Sequence, residues 1–104
     1  PETKKLVIFD IDQTILDAIE CERDFDHPKI KDGIIHKIKM YPIDADYICV
    51  VFRPGFMEYL TDKISRRADY MLYTRESFTY GIRIAEYIEQ WVNNAAPALG
   101  VFKF

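Results

Sequence analysis

At 104 residues the chain has room for one domain with a modest core, and its 49% apolar content with seven tyrosines and seven phenylalanines excludes a disordered tail. A net charge of −3 with both signs scattered excludes the basic face of a direct nucleic-acid binder, leaving Lys29, Lys31, Lys37 and Lys39 as a local basic stretch. No apolar run approaches the ~20 residues of a membrane span, and no charged segment followed by an apolar one opens the chain.

In chain order, Lys5 to Asp10 is a short apolar run that predicts a buried parallel strand delivering Asp10 at its carboxyl end. Glu20 to Asp32 is polar, carries Pro28 and ends at Gly33, which predicts a surface excursion. Ile34 to Tyr41 alternates, with Ile34, His36, Ile38 and Met40 on one face. Tyr47 to Phe52 is again strand-like, and Pro42 to Asp46 would join the two as a hairpin. Pro54 predicts the first turn of a helix in which Met57, Leu60 and Ile64 share a face and Arg66 and Arg67 sit at the negative end of the dipole. Asp69 to Tyr73 is the next strand. Ser77 is the expected cap of a second helix, with Phe78, Ile82, Ala85, Ile88 and Val92 at helical spacing up to Asn93 and Asn94. Val101 to Phe104 reads as a strand that has barely begun. Because the chain also opens on Pro1 rather than Met, it is expected to be a segment of a longer protein. The order of elements predicts an α/β fold with a mostly parallel sheet and a small β-hairpin insertion.

In open parallel sheets the ligand site lies beyond the carboxyl ends of the strands, and two polar clusters land there. One is Asp10, Asp12 and Thr14; the other is Thr74, Arg75 and Ser77. Paired carboxylates can hold Mg²⁺ through oxygen, and that ion usually shares its shell with waters and a phosphate. Hydroxyls just ahead of a helix N-terminus suit an anion. Together they form a phosphoryl-transfer layout, in which one aspartate attacks phosphorus and a second, two residues on, moves the proton.

The stretch "FDIDQT" resembles the first motif of the haloacid dehalogenase superfamily, Asp-x-Asp-x-Thr behind an apolar strand, and "MLYT" resembles its second. More narrowly, "VVFRPGFMEYL" followed by "YMLYTRESFTYGIRIAEYI" resembles the small carboxy-terminal-domain phosphatases that act on the RNA polymerase II tail. The resemblance spans nearly the whole chain. It implies a Rossmann-like core and a Mg²⁺-dependent phosphatase acting on phosphoserine or phosphothreonine in a protein, in the nucleus. By position, Asp10 would be nucleophile and Mg²⁺ ligand. Asp12 would be general acid/base, with its main-chain carbonyl on the metal. Thr14 would support the first-motif loop near the phosphate, Thr74 would hold a phosphate oxygen, and Arg75 would contact the phosphate. Arg53 belongs to the pattern without a catalytic step. Gln13 stands where the family usually has an acidic residue, and Ile15 follows the threonine. The family's third-motif lysine and fourth-motif acidic pair would follow "GVFKF", so the chain as written is expected to bind Mg²⁺ weakly and turn over poorly.

Competing expectations accompany these residues. Asp10 and Asp12 could be solvated carboxylates of a strand end, Thr74 a turn hydroxyl and Arg53 a surface ion-pair partner. His27 and His36 are expected at the surface or in a strand. Cys21 and Cys49 fit neither a metal spacing nor a disulfide framework and are expected to be ordinary free thiols of a reducing compartment, cytosol or nucleus. Two other functions are consistent with the resemblance: a non-catalytic binding module like the related mitochondrial import receptor, and a phosphatase for small metabolites.

Overall fold

The computed structural model describes residues 4–40 and 47–104, so the expected turn at Pro42 to Asp46 lies outside the described residues. Strand β1 (Lys5–Asp10) pairs in parallel with β5 (Ala68–Tyr73), with Asp10 opposite Tyr73. A second sheet, in the order β2-β4-β3, is antiparallel and consists of β2 (Leu16–Cys21), β3 (His36–Lys39) and β4 (Tyr47–Phe52). The molecule is thus α/β, but one parallel and two antiparallel pairings among the described residues replace the expected mostly parallel sheet. Strand β2 accounts for the difference. In "LDAIEC" only Leu16 is buried, so the segment lacks the apolar run that marks a core strand, and it is held as an edge by its ladder to β4. The expected antiparallel pairing of β3 with β4 is present, and β2 adds a third strand to it.

The polar excursion contains one short helix, α1 (Pro28–Lys31), capped by His27, whose Nδ1 accepts from the Lys29 N–H at 3.1 Å. The predicted helix from Pro54 is much shorter. Arg53-Pro54-Gly55-Phe56 forms a β-turn with Phe56 N–H bonded to the Arg53 carbonyl at 3.1 Å and Gly55 at φ 86°. That is type II geometry, with proline second and a left-handed residue third, so glycine is required there. Helix α2 (Phe56–Leu60) follows. It stops because Thr61 Oγ1 bonds back to the Glu58 carbonyl and Asp62 caps Ile64 N–H, which restarts the chain as a 3₁₀ turn over Lys63–Arg67. Ile64, expected on the buried face, is therefore exposed, whereas Met57 and Leu60 are buried as expected.

Helix α3 (Phe78–Ala95) begins at the predicted cap: Ser77 Oγ accepts from Tyr80 N–H at 3.2 Å. Ile88 and Val92 are buried as expected, but the buried face of its first turns is displaced. Tyr80, Ile84, Ile88 and Val92 point inward, while Phe78 is 82% exposed and Ile82 is also exposed. The shift arises because α3 serves both sheets. Tyr87 OH meets His36 Nδ1 at 2.7 Å and Arg83 Nε donates to the Lys39 carbonyl at 2.7 Å, tying it to β3, while Tyr80 faces the end of β1. No described helix is long and apolar enough to cross a membrane.

Two further expectations are corrected. Strand β1 is buried on one face only. Phe9 packs edge-on against Phe56 at 5.2 Å and stacks on Tyr70 at 5.7 Å, whereas Leu6 and Ile8, a period of two away, are more than half exposed. Val101 to Phe104 does not form a strand. Its backbone bonds to side chains of α3 instead: Asn93 Oδ1 accepts from Phe102 N–H, Asn93 Nδ2 donates to the Phe102 carbonyl, and Glu89 accepts from Phe104 N–H.

Candidate functional site

The alternation that half-buries Phe9 places Asp10 on the open face of β1, after Leu6 and Ile8, so its carboxylate is exposed at the carboxyl end of the strand. The parallel ladder runs one step further, with Ile11 N–H donating to the Tyr73 carbonyl at 2.9 Å, and Ile11 itself is fully buried. The chain then folds over this anchor. The Ile11 carbonyl accepts from the N–H groups of Thr14, Ile15 and Leu16, and Gln13 adopts φ 62°, the only left-handed non-glycine conformation among the described residues.

This loop presents Asp12, half-buried, to the segment after β5. Thr74 Oγ1 donates to Asp12 Oδ2 at 3.0 Å, and Tyr80 OH donates to Asp12 Oδ1 at 2.6 Å. Thr74 Oγ1 also accepts from Glu76 N–H at 3.0 Å, which fixes the direction of its own proton. Thr14 Oγ1 donates to Asp10 Oδ2 at a longer 3.3 Å. The sequence-predicted residues Asp10, Asp12, Thr14 and Thr74 thus converge at the carboxyl ends of β1 and β5. Arg75 lies beside them in the chain but is exposed and outside this hydrogen-bonded set.

Arg53 reaches the same loop from the end of β4. Its Nη2 donates to the Gln13 carbonyl at 3.0 Å, its Nη1 pairs with Asp17 at 3.3 Å, and its backbone N–H donates to the Ile15 carbonyl at 2.8 Å. Its side chain therefore braces the loop from outside.

Tyr80 is the residue that sequence reasoning missed. It is 8% exposed, and burial, followed by the hydrogen bond and charge of Asp12 and then the charge of Glu76, pushes its hydroxyl well above the usual tyrosine range. It therefore remains a donor at every ordinary pH. The signal was its spacing: Tyr80, Ile84 and Ile88 recur every four residues, one face of a helix capped at Ser77. Gly81 lets α3 approach closely, since a Cβ there would lie 3.2 Å from Thr74 Cγ2.

As acceptors, the two carboxylates are unlike. Both Asp12 oxygens accept from hydroxyl donors, while Asp10 stays open to solvent with one long bond. For Mg²⁺, no group of three or more carboxylate, imidazole or thiol side chains converges among the described residues. Asp10, with its open carboxylate, matches the one or two protein carboxylates that this ion uses when waters and a phosphate complete its shell, whereas both Asp12 carboxylate oxygens are taken. Neither a protein-family model nor a curated protein matches the chain.

Proposed function

We propose that the chain carries the reacting half of a haloacid-dehalogenase-type phosphatase site acting on phosphoserine or phosphothreonine in a protein, with Mg²⁺ as cofactor. The supporting observation is the Thr74–Asp12 hydrogen bond, which joins residues 62 apart in sequence at the ends of two parallel strands. In this reading β1 and β5 belong to a Rossmann-like core and the antiparallel sheet is the insertion after the first motif. The substrate is a phosphoprotein of the RNA polymerase II tail kind, with no direct nucleic-acid or membrane contact, and the compartment is the nucleus.

The proposed chemistry follows the asymmetry of the carboxylates. An Asp10 oxygen attacks phosphorus as the bond to the serine or threonine oxygen breaks, and Asp12, entering the step protonated on Oδ2 with the Thr74 hydroxyl turned from it toward the phosphoryl group, gives that oxygen its proton. Asp12, now ionised and held by Tyr80, takes a proton from water, whose oxygen displaces Asp10 and releases phosphate. Thr74, Thr14 and Arg75 contact the phosphoryl oxygens. Asp10 and the Asp12 carbonyl would hold Mg²⁺, which when bound offsets the charge between carboxylate and phosphoryl group.

The test is beryllium fluoride, a mimic of aspartyl-phosphate, followed by ¹⁹F NMR with and without Mg²⁺, alongside phosphate release from a phosphoserine peptide. A Mg²⁺-dependent adduct that Asp10→Asn abolishes, together with peptide hydrolysis, is the expected result. An adduct without hydrolysis supports the binding-module reading, and faster release from a small phosphate ester supports the metabolite enzyme. Absence of any Asp10-dependent adduct refutes the proposal.

A further inference from the structure

Cys21 closes β2 and Cys49 lies within β4. The antiparallel register pairs Ile19 with Cys49 and Cys21 with Tyr47, which makes the two cysteines diagonal neighbours on one face of the sheet. Their sulfurs are in contact, the Cys49 thiol pointing to Cys21 Sγ at 2.7 Å. A disulfide places its sulfurs about 2.05 Å apart, so the two sulfurs stand roughly 0.7 Å beyond bonding distance. The pair is also asymmetric: Cys49 is buried, whereas Cys21 is partly open to solvent.

Lys37 stands directly opposite Cys49 on β3, and its ammonium group, which donates to the Arg23 and Phe25 carbonyls, favours the Cys21 thiolate. Burial outweighs it and, with the hydrogen bond and charge of Cys49, pushes Cys21 up to about 12. Thiolate is therefore scarce at Cys21 near neutrality, so exchange there is slow.

We propose that Cys21 and Cys49 form a reversible intramolecular disulfide by exchange with a small-molecule disulfide of the glutathione class. The Cys21 thiolate, its proton lost to solvent, attacks one sulfur of oxidised glutathione and expels the other glutathione as a thiolate. Cys49 loses its proton in turn, attacks the Cys21 sulfur of the mixed disulfide and expels the second glutathione. Two protein thiols are oxidised by two electrons, and one glutathione disulfide becomes two thiols. The bond joins β2 to β4 and closes the chain between residues 21 and 49, which restricts the unfolded chain and stabilises the folded one. This inference is independent of the phosphatase reading.

The test incubates the whole chain in glutathione buffers of graded ratio, quenches by alkylation and maps peptides by mass spectrometry, with melting followed in parallel. The expected product has lost two hydrogens, links the Cys21 and Cys49 peptides, melts several degrees higher and reverts with dithiothreitol. Cys49→Ala should stop at a stable glutathione adduct on Cys21, and Cys21→Ala should take up none. A wild-type chain that accumulates the adduct without linking its peptides, or whose cysteines alkylate equally in oxidising and reducing buffers, overturns the proposal. The wild-type measurements decide it even where a variant fails to fold.

Discussion

Gly81→Ala sets two effects of similar size against each other. Near the start of α3 alanine is the better helix former by about 0.5–1 kcal/mol. Its Cβ, however, would meet Thr74 Cγ2 at 3.2 Å, a few tenths of an ångström inside ordinary contact. A free methyl group would swing aside. Thr74 is not free, because its hydroxyl donates to Asp12 at 3.0 Å and accepts from Glu76 N–H at 3.0 Å, and rotating the methyl away breaks both bonds. Relieving the contact by moving α3 disturbs the buried Ile84 and Ile88, so overpacking costs about 1 kcal/mol, the low end for an added methyl group. The two terms nearly cancel, and Gly81→Ala alone should change stability little. In a Thr74→Ser background the hydroxyl remains and the methyl is gone, so the same substitution should stabilise by about 0.7 kcal/mol. Urea denaturation of the four proteins measures the coupling, expected near 1 kcal/mol with unchanged m-values. Equal effects of Gly81→Ala in the two backgrounds, within about 0.3 kcal/mol, would refute the close approach of α3 to Thr74.

Tyr80→Phe removes a hydrogen bond to a carboxylate, worth about 1.5–3 kcal/mol when buried; with Asp12 half-exposed the loss should be nearer 1 kcal/mol, and a urea midpoint unchanged from wild type would contradict the 2.6 Å contact. Arg53→Ala should cost more than Asp17→Ala, because the bond to the Gln13 carbonyl survives the loss of the exposed ion pair, itself worth under about 1 kcal/mol; equal costs in thermal melts would show that the loop is not braced. Burial lowers the His36 pKa below 6.5, so the folded state prefers the neutral ring. This contribution is fully present above pH 6.5 and is lost as pH falls through the folded value. Between pH 7.5 and 5.5 the wild type should therefore lose urea resistance relative to His36→Gln, and a constant difference would remove His36 as the cause.

The candidate site was legible to the extent that its residues are local. Asp10, Asp12 and Thr14 form one contiguous stretch behind an apolar strand, and Thr74 follows another, so the general location beyond two strand ends could be read from order alone. Tyr80 could not be assigned a partner in that way, since its contact with Asp12 spans 68 residues and depends on the rotation of α3 about its axis. Ile88 and Val92 lie on the buried face as their spacing predicts, but placing Phe78 and Ile82 there instead of Tyr80 and Ile84 misses by about half a turn at the start of the helix. Phe78 is as apolar as any core residue and is exposed because α3 must face β3 with Tyr87 and Arg83. Arg53 was legible as part of a pattern, while its role in holding Gln13 at φ 62° was not.

By itself the sequence determined what short-range chemistry controls: the Ser77 cap, the β3 and β4 strands and the polar ends of β1 and β5. Only the tertiary structure decided which strands pair, which face of α3 is buried and that Cys21 meets Cys49. The physical reason is that caps and turns are bonded within a few residues and carry their own signature. Pairing and burial are settled instead by competition among all apolar surfaces for one small core, and a weakly patterned strand such as β2 is held by the ladder to its neighbour rather than by its own composition.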